Sequence, residues 1–239
     1  MGSKELFQEK GLSPLTVFLI SEIKAYNTLL HLIQTSLEEV KNCLLGDSVF
    51  TKETEEIWND LKQTKVPKKW SIHPTNKELM DWIKETIKKV EFIRSWMVNG
   101  EPKVYWTPAL ISFKGFLAAL TQTYLKTHQL TSEVLGYNFQ VIETVIIEKP
   151  KEGVIIEGLQ LDNGIWNKEK GLLDLEGSTN IIPPIHLTIK RITEDSQKGY
   201  SCPIYRNRLA KSDVLAYALL PTRDESDIWV LRKTSLLLE

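Results

Sequence analysis

Four histidines, two cysteines and a large supply of carboxylates are the groups in this sequence that could ligate a metal or move a proton. His31, His73, His128 and His186 show no HExxH pair and no Cys/His spacing of the kind a tetrahedral metal site needs. Each reads as a surface or partly buried side chain, so no metal ligand is expected. Cys202, in Tyr200-Ser201-Cys202-Pro203, is the candidate nucleophile, with the distant His186 as the imaginable base. A following proline in a β-rich apolar run argues instead for a packed, inert thiol. Cys43 and Cys202 form neither a CxxC pair nor a disulfide framework, which fits a reducing, intracellular setting. Glu38-Glu39 and Glu55-Glu56 fall on the wet faces of predicted helices, and Lys68-Lys69 and Lys88-Lys89 are dipeptide patches with acids nearby.

Phosphate chemistry is equally poorly provided for. A nucleotide-hydrolysing loop of the form GxxxxGK[ST] needs a Gly-Lys step, and the sequence has none. Gly153, Gly158 and Gly164 sit among strands and turns rather than opening a helix, so the dinucleotide fingerprint fails too. The expected catalytic, cofactor-binding and metal-binding residues are therefore none, and no cofactor is expected. Seven tryptophans, Trp58, Trp70, Trp82, Trp96, Trp106, Trp166 and Trp229, could stack ligands. Spread along the sequence, they read as anchors of cores and interfaces.

The elements that would carry these groups divide the chain in two. With 239 residues, 42% of them hydrophobic and 26% charged, the sequence lies in the globular range. A net charge of −1 offers nothing to neutralise many phosphates, which argues against nucleic-acid and membrane partners. The start, Met1-Gly2-Ser3-Lys4-Glu5, lacks the apolar core of a signal peptide and reads as a cloning remnant on a piece of a longer polypeptide. Apolar spacing is helical before about residue 130 and strand-like after it. The expectation is an α+β chain with a helical bundle over 1–130 and a small antiparallel β-barrel or sandwich over 131–239.

Leu19, Ile23, Tyr26, Leu30, Ile33, Leu37, Val40 and Leu44 align on one stripe of a long first helix that Gly46 ends. That stripe suits a bundle helix or a two-stranded coiled coil. A second helix runs from about Thr51 to Val66-Pro67, burying Ile57, Trp58 and Leu61. Thr75-Asn76-Lys77-Glu78 reads as a capping box opening a third, which Asn99-Gly100 closes in left-handed fashion before Pro102. After the apolar piece Val104-Tyr105-Trp106, a fourth spans about Phe113–Thr127. Strands are expected around Phe139 and Val141, Val145 to Ile147, Gly153–Leu161, Ile165–Asn167, Leu172–Leu175, Ile185–Ile192, Tyr200–Arg206, Val214–Leu220 and Ile228–Leu238. Asn163-Gly164 is the strongest turn signal, and Pro183-Pro184 an extended lead into the next strand.

Taken in order, several motifs resemble the C-terminal region of dynein heavy chains. Val66-Pro67-Lys68-Lys69-Trp70, Leu79, Trp82-Ile83 and Asn99-Gly100-Glu101-Pro102 are similar to the family's VP-x-x-W, W-[IV] and NG-x-P run. Gly158-Leu159, Leu161 and Trp166 resemble its G-L-x-L-x-G-x-x-W strand pair, Tyr200–Tyr205 its Y-x-C-P-x-Y strand, and Trp229 through Leu236-Leu237-Leu238 its W-x-x-R-G-V-A-L-L ending. Pro108-Ala109, Phe113-Lys114 and Lys233-Thr234-Ser235 depart from it. The resemblance implies a minus-end-directed microtubule motor of the cytoplasm and cytoskeleton, closer to axonemal members of the cilium or flagellum. In it this piece would hold the end of the last AAA+ lid and a non-catalytic domain lying on the ring. Its implied partners are the AAA+ modules of the same heavy chain, with other dynein subunits and microtubules reached through the full motor.

Two other classes compete. A free-standing adaptor would dimerise through Leu19–Leu44 and bind a peptide on its β domain. A carbohydrate- or lipid-handling enzyme would need a deep apolar pocket near Trp166.

Overall fold

The computed structural model describes residues 12–130, 135–142, 144, 146, 148–167, 171–173, 179–191, 199–222 and 224–238. Helix α1 spans Pro14–Leu45. Ser13 caps its start, accepting a hydrogen bond from Thr16 N–H (3.1 Å) on Oγ, and Pro14 supplies a preset φ. Gly46 ends it in the left-handed region at φ 83°. The buried stripe shares Leu19, Tyr26 and Val40 with the one hydropathy predicts but is rotated from it. Leu15, Phe18, Leu19, Glu22, Tyr26, Leu29, Ser36 and Val40 face the core, while Leu30, Leu37 and Leu44 are 42%, 43% and 51% exposed. Two polar residues have taken core-facing turns: Ser36 because its Oγ accepts from Trp70 Nε1 (2.8 Å), and Glu22 because it serves a loop described below.

Helix α2, Lys52–Lys62, opens with a reciprocal capping box between Thr51 and Thr54. It stops short of Val66-Pro67, because Thr64 turns to positive φ and the backbone passes into a 3-10 turn at Lys68–Trp70. Helix α3 is Leu79–Asn99. The predicted box at Thr75–Glu78 does not form: Glu78 is the N-cap without a side-chain bond, and Thr75 Oγ1 instead accepts from Lys77 N–H (3.2 Å). Gly100 follows at φ 81° but ψ −173°, an extended exit rather than the left-handed closure expected. Val104–Trp106 is strand β1, and Phe113–His128 is α4.

The later strands are β2 Leu135–Val141, β3 Val154–Glu157, β4 Gln160–Asp162, β5 Ile165–Asn167, β6 Gly171–Leu173, β7 Thr179–Ile181, β8 Ile185–Arg191, β9 Tyr200–Tyr205, β10 Ala216–Leu220 and β11 Ser235–Leu237. A four-stranded sheet has the order β1-β3-β8-β2, a five-stranded sheet β10-β9-β11-β4-β7, and β5 pairs with β6 alone. The pairs β1 with β3 and β9 with β11 are parallel, so the sheets are mixed rather than antiparallel throughout. Both larger sheets are open in strand order, and no closed barrel is formed among the described residues.

Two local expectations fail for physical reasons. The run Gly153–Leu161 is broken at Gly158, whose φ of 90° lets the backbone pass so near Pro108 that a Cβ would lie 2.6 Å from its Cδ. Asn163-Gly164 turns the backbone as expected, with β4 pairing with β7 and β11 while β5 pairs with β6. Within Ile228–Leu238 the apolar run is helix α5, Ser226–Leu231, before β11, as short apolar runs suit either state. Val145, Ile147, Leu175 and Ile192, assigned above to strands, lie outside the described residues.

One large core joins both halves of the molecule. It gathers Phe18 of α1, Trp96 of α3, Tyr105 of β1 and Phe116 of α4 with Ile156, Leu187, Ile204 and Leu236 from the sheets. Tyr105 lies 5.0 Å, centroid to centroid, from both Trp96 and Phe116. A smaller core, Leu29, Val40, Ile57 and Trp70, closes the other end of the helices, with Trp82 stacked on Trp70.

Candidate functional site

The residues singled out for chemistry are not brought together. His31 is exposed on α1, His128 lies against Tyr124 with tilted rings at the end of α4, and His186 on β8 contacts Glu152 O at 2.7 Å. Cys202 is fully buried on β9, in the other large sheet from His186. Its Sγ faces Thr234 O at 3.9 Å, and burial pushes the thiol far up from its ordinary value. Cys43, half-buried, meets Ser48 Oγ at 3.2 Å. Glu38, Glu39, Glu55, Glu56, Lys68, Lys69 and Lys88 are exposed, and Lys69 pairs with Glu53. Among the described residues, no group of three or more His, Cys, Asp or Glu could hold a metal.

What the fold does assemble is a polar hub around residues 107–112, which cross from β1 to α4. Glu22 of α1 reaches the loop as an acceptor, its Oε2 taking Ile111 N–H (2.6 Å) and its Oε1 Ser112 N–H (3.0 Å). Tyr26, one turn on, donates to Ala109 O (2.7 Å). Arg206, just past β9, donates through Nη2 to the carbonyls of Leu110 and Ile111. Thr107 Oγ1 donates to Glu157 O on β3 (2.9 Å). Backbone groups of the loop that would otherwise be orphaned are thereby satisfied by side chains from both halves of the molecule. Burial raises the Glu22 carboxyl above its ordinary value, against the pull of the two amides and Arg206. Only one sequence signal points here: a glutamate among the apolar turns of α1.

Beside the hub lies a half-open cleft of about 100 Å³. Its charged wall is Lys77, Glu85, Lys89 and Arg206, with His73 and Asn207 alongside. Glu85 accepts from Lys77 and Lys89, one on each carboxylate oxygen, at 2.5 Å. Burial drives the Glu85 carboxyl up, but the two lysine hydrogen bonds outweigh it and leave the group below its ordinary 4.5. Being depressed, Glu85 contributes stability that is present above 4.5 and is lost as pH falls through its folded value. Accordingly, the Tm penalty of Glu85→Gln is expected to be present at pH 7 and to vanish in acid, in unfolding scans across pH. Trp166 lines neither this cleft nor the groove between α2 and the 3-10 turn.

A second charge cluster sits on the five-stranded sheet. Asp162 of β4, nearly buried, accepts from Arg208 Nη2 and Lys211 Nζ, both at 2.7 Å. Its carboxylate thus ties the turn after β9 to β4, as Asn207 Nδ2 ties it to Pro74 O (2.6 Å). These links are positional rather than chemical.

Comparison with known proteins gives the arrangement a family. The family model for the C-terminal domain of the dynein heavy chain matches residues 2–238. The chain is 27% identical to human dynein axonemal heavy chain 6, the match covering 95% of this chain and 6% of that protein. It is 30% identical to the dynein-1-beta heavy chain of the flagellar inner arm I1 complex of Chlamydomonas reinhardtii and 31% identical to human dynein axonemal heavy chain 2. Each of those matches covers 95% of this chain and 5% of the relative, so the chain spans only a small part of the proteins it matches. With a match that takes in both cores, both large sheets and the hub between them, the chain belongs to the family of C-terminal domains of dynein heavy chains.

Proposed function

We propose that this chain is a non-catalytic bracing module: it packs on the AAA+ ring of its own heavy chain and tunes how ring rearrangements spread in a microtubule motor. The axonemal and flagellar names of its relatives support a place in the axoneme of a cilium or flagellum, with other dynein subunits and the microtubule reached through the full motor. No catalytic, cofactor or metal residue is assigned, and neither nucleic acid nor membrane is a proposed partner. No helix among the described residues is long and apolar enough to cross a membrane.

The observation that carries this reading is apolar surface left uncovered on rigid helices. Leu30, Leu37, Leu44, Leu45 and Val49 are exposed on and after α1, and Met80, Ile87, Met97 and Val98 on α3. We likewise infer that the segments 1–130, with the lid end, and 131–239 act as one mechanical block, because the larger core draws on both. Two open sheets sharing that core favour a sandwich-like arrangement over a barrel.

Charge placed on the α1 face tests the proposal. Leu30→Asp with Leu37→Asp is expected to leave the isolated chain's stability within about 0.5 kcal/mol, as for surface positions. In the full heavy chain the same pair is expected to lower microtubule gliding velocity. Unchanged gliding, ATP hydrolysis by the isolated chain, or its co-sedimentation with microtubules would count against the module. A dimer of the isolated chain that these substitutions dissolve, seen by light scattering, would favour the adaptor.

A further inference from the structure

We propose that the cleft between residues 71–77, α3 and the turn after β9 is a binding site for a small tetrahedral oxyanion of the phosphate class. The charge count is the first ground. Lys77, Lys89 and Arg206 line the cleft against a single carboxylate, Glu85, whose two oxygens are already taken by the two lysines. Behind the cleft, Glu22 spends both oxygens on the amides of Ile111 and Ser112. Among the described residues, the site therefore holds one positive charge more than these two carboxylates compensate.

Geometry is the second ground. The three cations come from three separate segments, the stretch before α3, α3 itself and the turn after β9, and all three line the one cleft. Such a set suits the several oxygens of a tetrahedral anion better than the two of a planar carboxylate. Arg206, which lines the cleft, makes its hydrogen bonds to Leu110 and Ile111 through one nitrogen of the guanidinium fork, Nη2. Asn207 has its amide nitrogen on Pro74 O and its oxygen on Leu209 and Ala210 N–H, which fixes the turn that presents Arg206. At about 100 Å³ the half-open space has room for one small anion with water.

The electrostatics agree. Burial lowers the Lys89 ammonium against the hydrogen bond and charge of Glu85, and Lys77 and Arg206 add to the lowering. His73 is lowered by burial and then by Arg206 and Lys89. A bound anion would relieve all of these repulsions together.

Calorimetry and thermal unfolding of the 239-residue chain, in sodium phosphate against sodium chloride at matched ionic strength, test the site. Phosphate is expected to raise Tm saturably and chloride not to. Lys77→Gln, on a partly exposed segment, and Lys89→Gln should each weaken phosphate binding about tenfold, as for the loss of one charge-assisted hydrogen bond. Glu85→Gln, which deletes the competing carboxylate, should tighten it. Those opposite signs distinguish a site from general stabilisation. A phosphate effect that Lys77→Gln leaves unchanged, or that Glu85→Gln weakens, overturns the proposal, as does no saturable effect at all. Preference for inorganic phosphate over O-phosphoserine assigns the site to the free anion and the reverse to a phosphorylated side chain, and either upholds it. ATP binding tighter than both would overturn the assignment to a small anion.

Discussion

Trp229→Ala is expected to destabilise the protein by about 3–5 kcal/mol, the range for emptying an aromatic position in a core. In a chain of this size that lowers Tm by about 2–4 °C for each kcal/mol. Trp229 is wholly buried, its Nε1 donates to Thr222 Oγ1 at 3.0 Å, and its ring meets Tyr200 at 6.5 Å on one side and Arg232 at 5.7 Å on another. The indole thus fastens α5 to β9 and to the segment that follows β10. Trp229→Phe keeps most of the volume and loses the hydrogen bond, so it should cost about 1–2 kcal/mol less than the alanine. Urea unfolding of the two variants checks this. Equal losses would mean that the hydrogen bond, not packing, holds α5 in place.

The second large effect belongs to Glu22. Glu22→Ala strips the acceptor from two amides of the 107–112 loop and removes the counter-charge of a buried guanidinium, for an expected loss of about 3–5 kcal/mol. Because both residues grip the same loop, Arg206→Ala combined with Glu22→Ala should cost clearly less than the two separately, in a double-mutant cycle. Strict additivity would refute the coupling. The pH dependence carries a sign of its own. Burial raises the folded pKa of Glu22, so its contribution is fully present below 4.5 and is lost as pH rises through the folded value. The penalty of Glu22→Gln should therefore grow in acid, opposite to that of Glu85→Gln.

Much of this is legible from residue order alone, and the failures share a cause. Gly46, Thr51 and the apolar spacing of α4 act locally, so α1 ends, α2 begins and α4 forms where expected. The buried stripe of α1 departs from the hydropathic one because Glu22 and Ser36 are buried for partners 89 and 34 residues away. No local pattern encodes those distances. Val104–Trp106 is too short to read as a strand until Val154–Glu157 arrives beside it. The cleft is invisible for the same reason: Lys77 and Lys89 are ordinary surface lysines in sequence, and only the fold sets Arg206 next to them. Family motifs such as Tyr200–Tyr205 are informative where periodicity is silent, since they mark residues whose packing partners are remote.

The place of β11 has a consequence for biosynthesis. Residues 235–237 lie in the middle of the five-stranded sheet, between β9 and β4, although they follow every other described strand in sequence. Until the ribosome has released them, the sheet exists as two halves, each with a bare inner edge open to mispairing. The parallel seam with β9 and the antiparallel seam with β4 then close together, so the latest of these strands to be made acts as the keystone of the sheet.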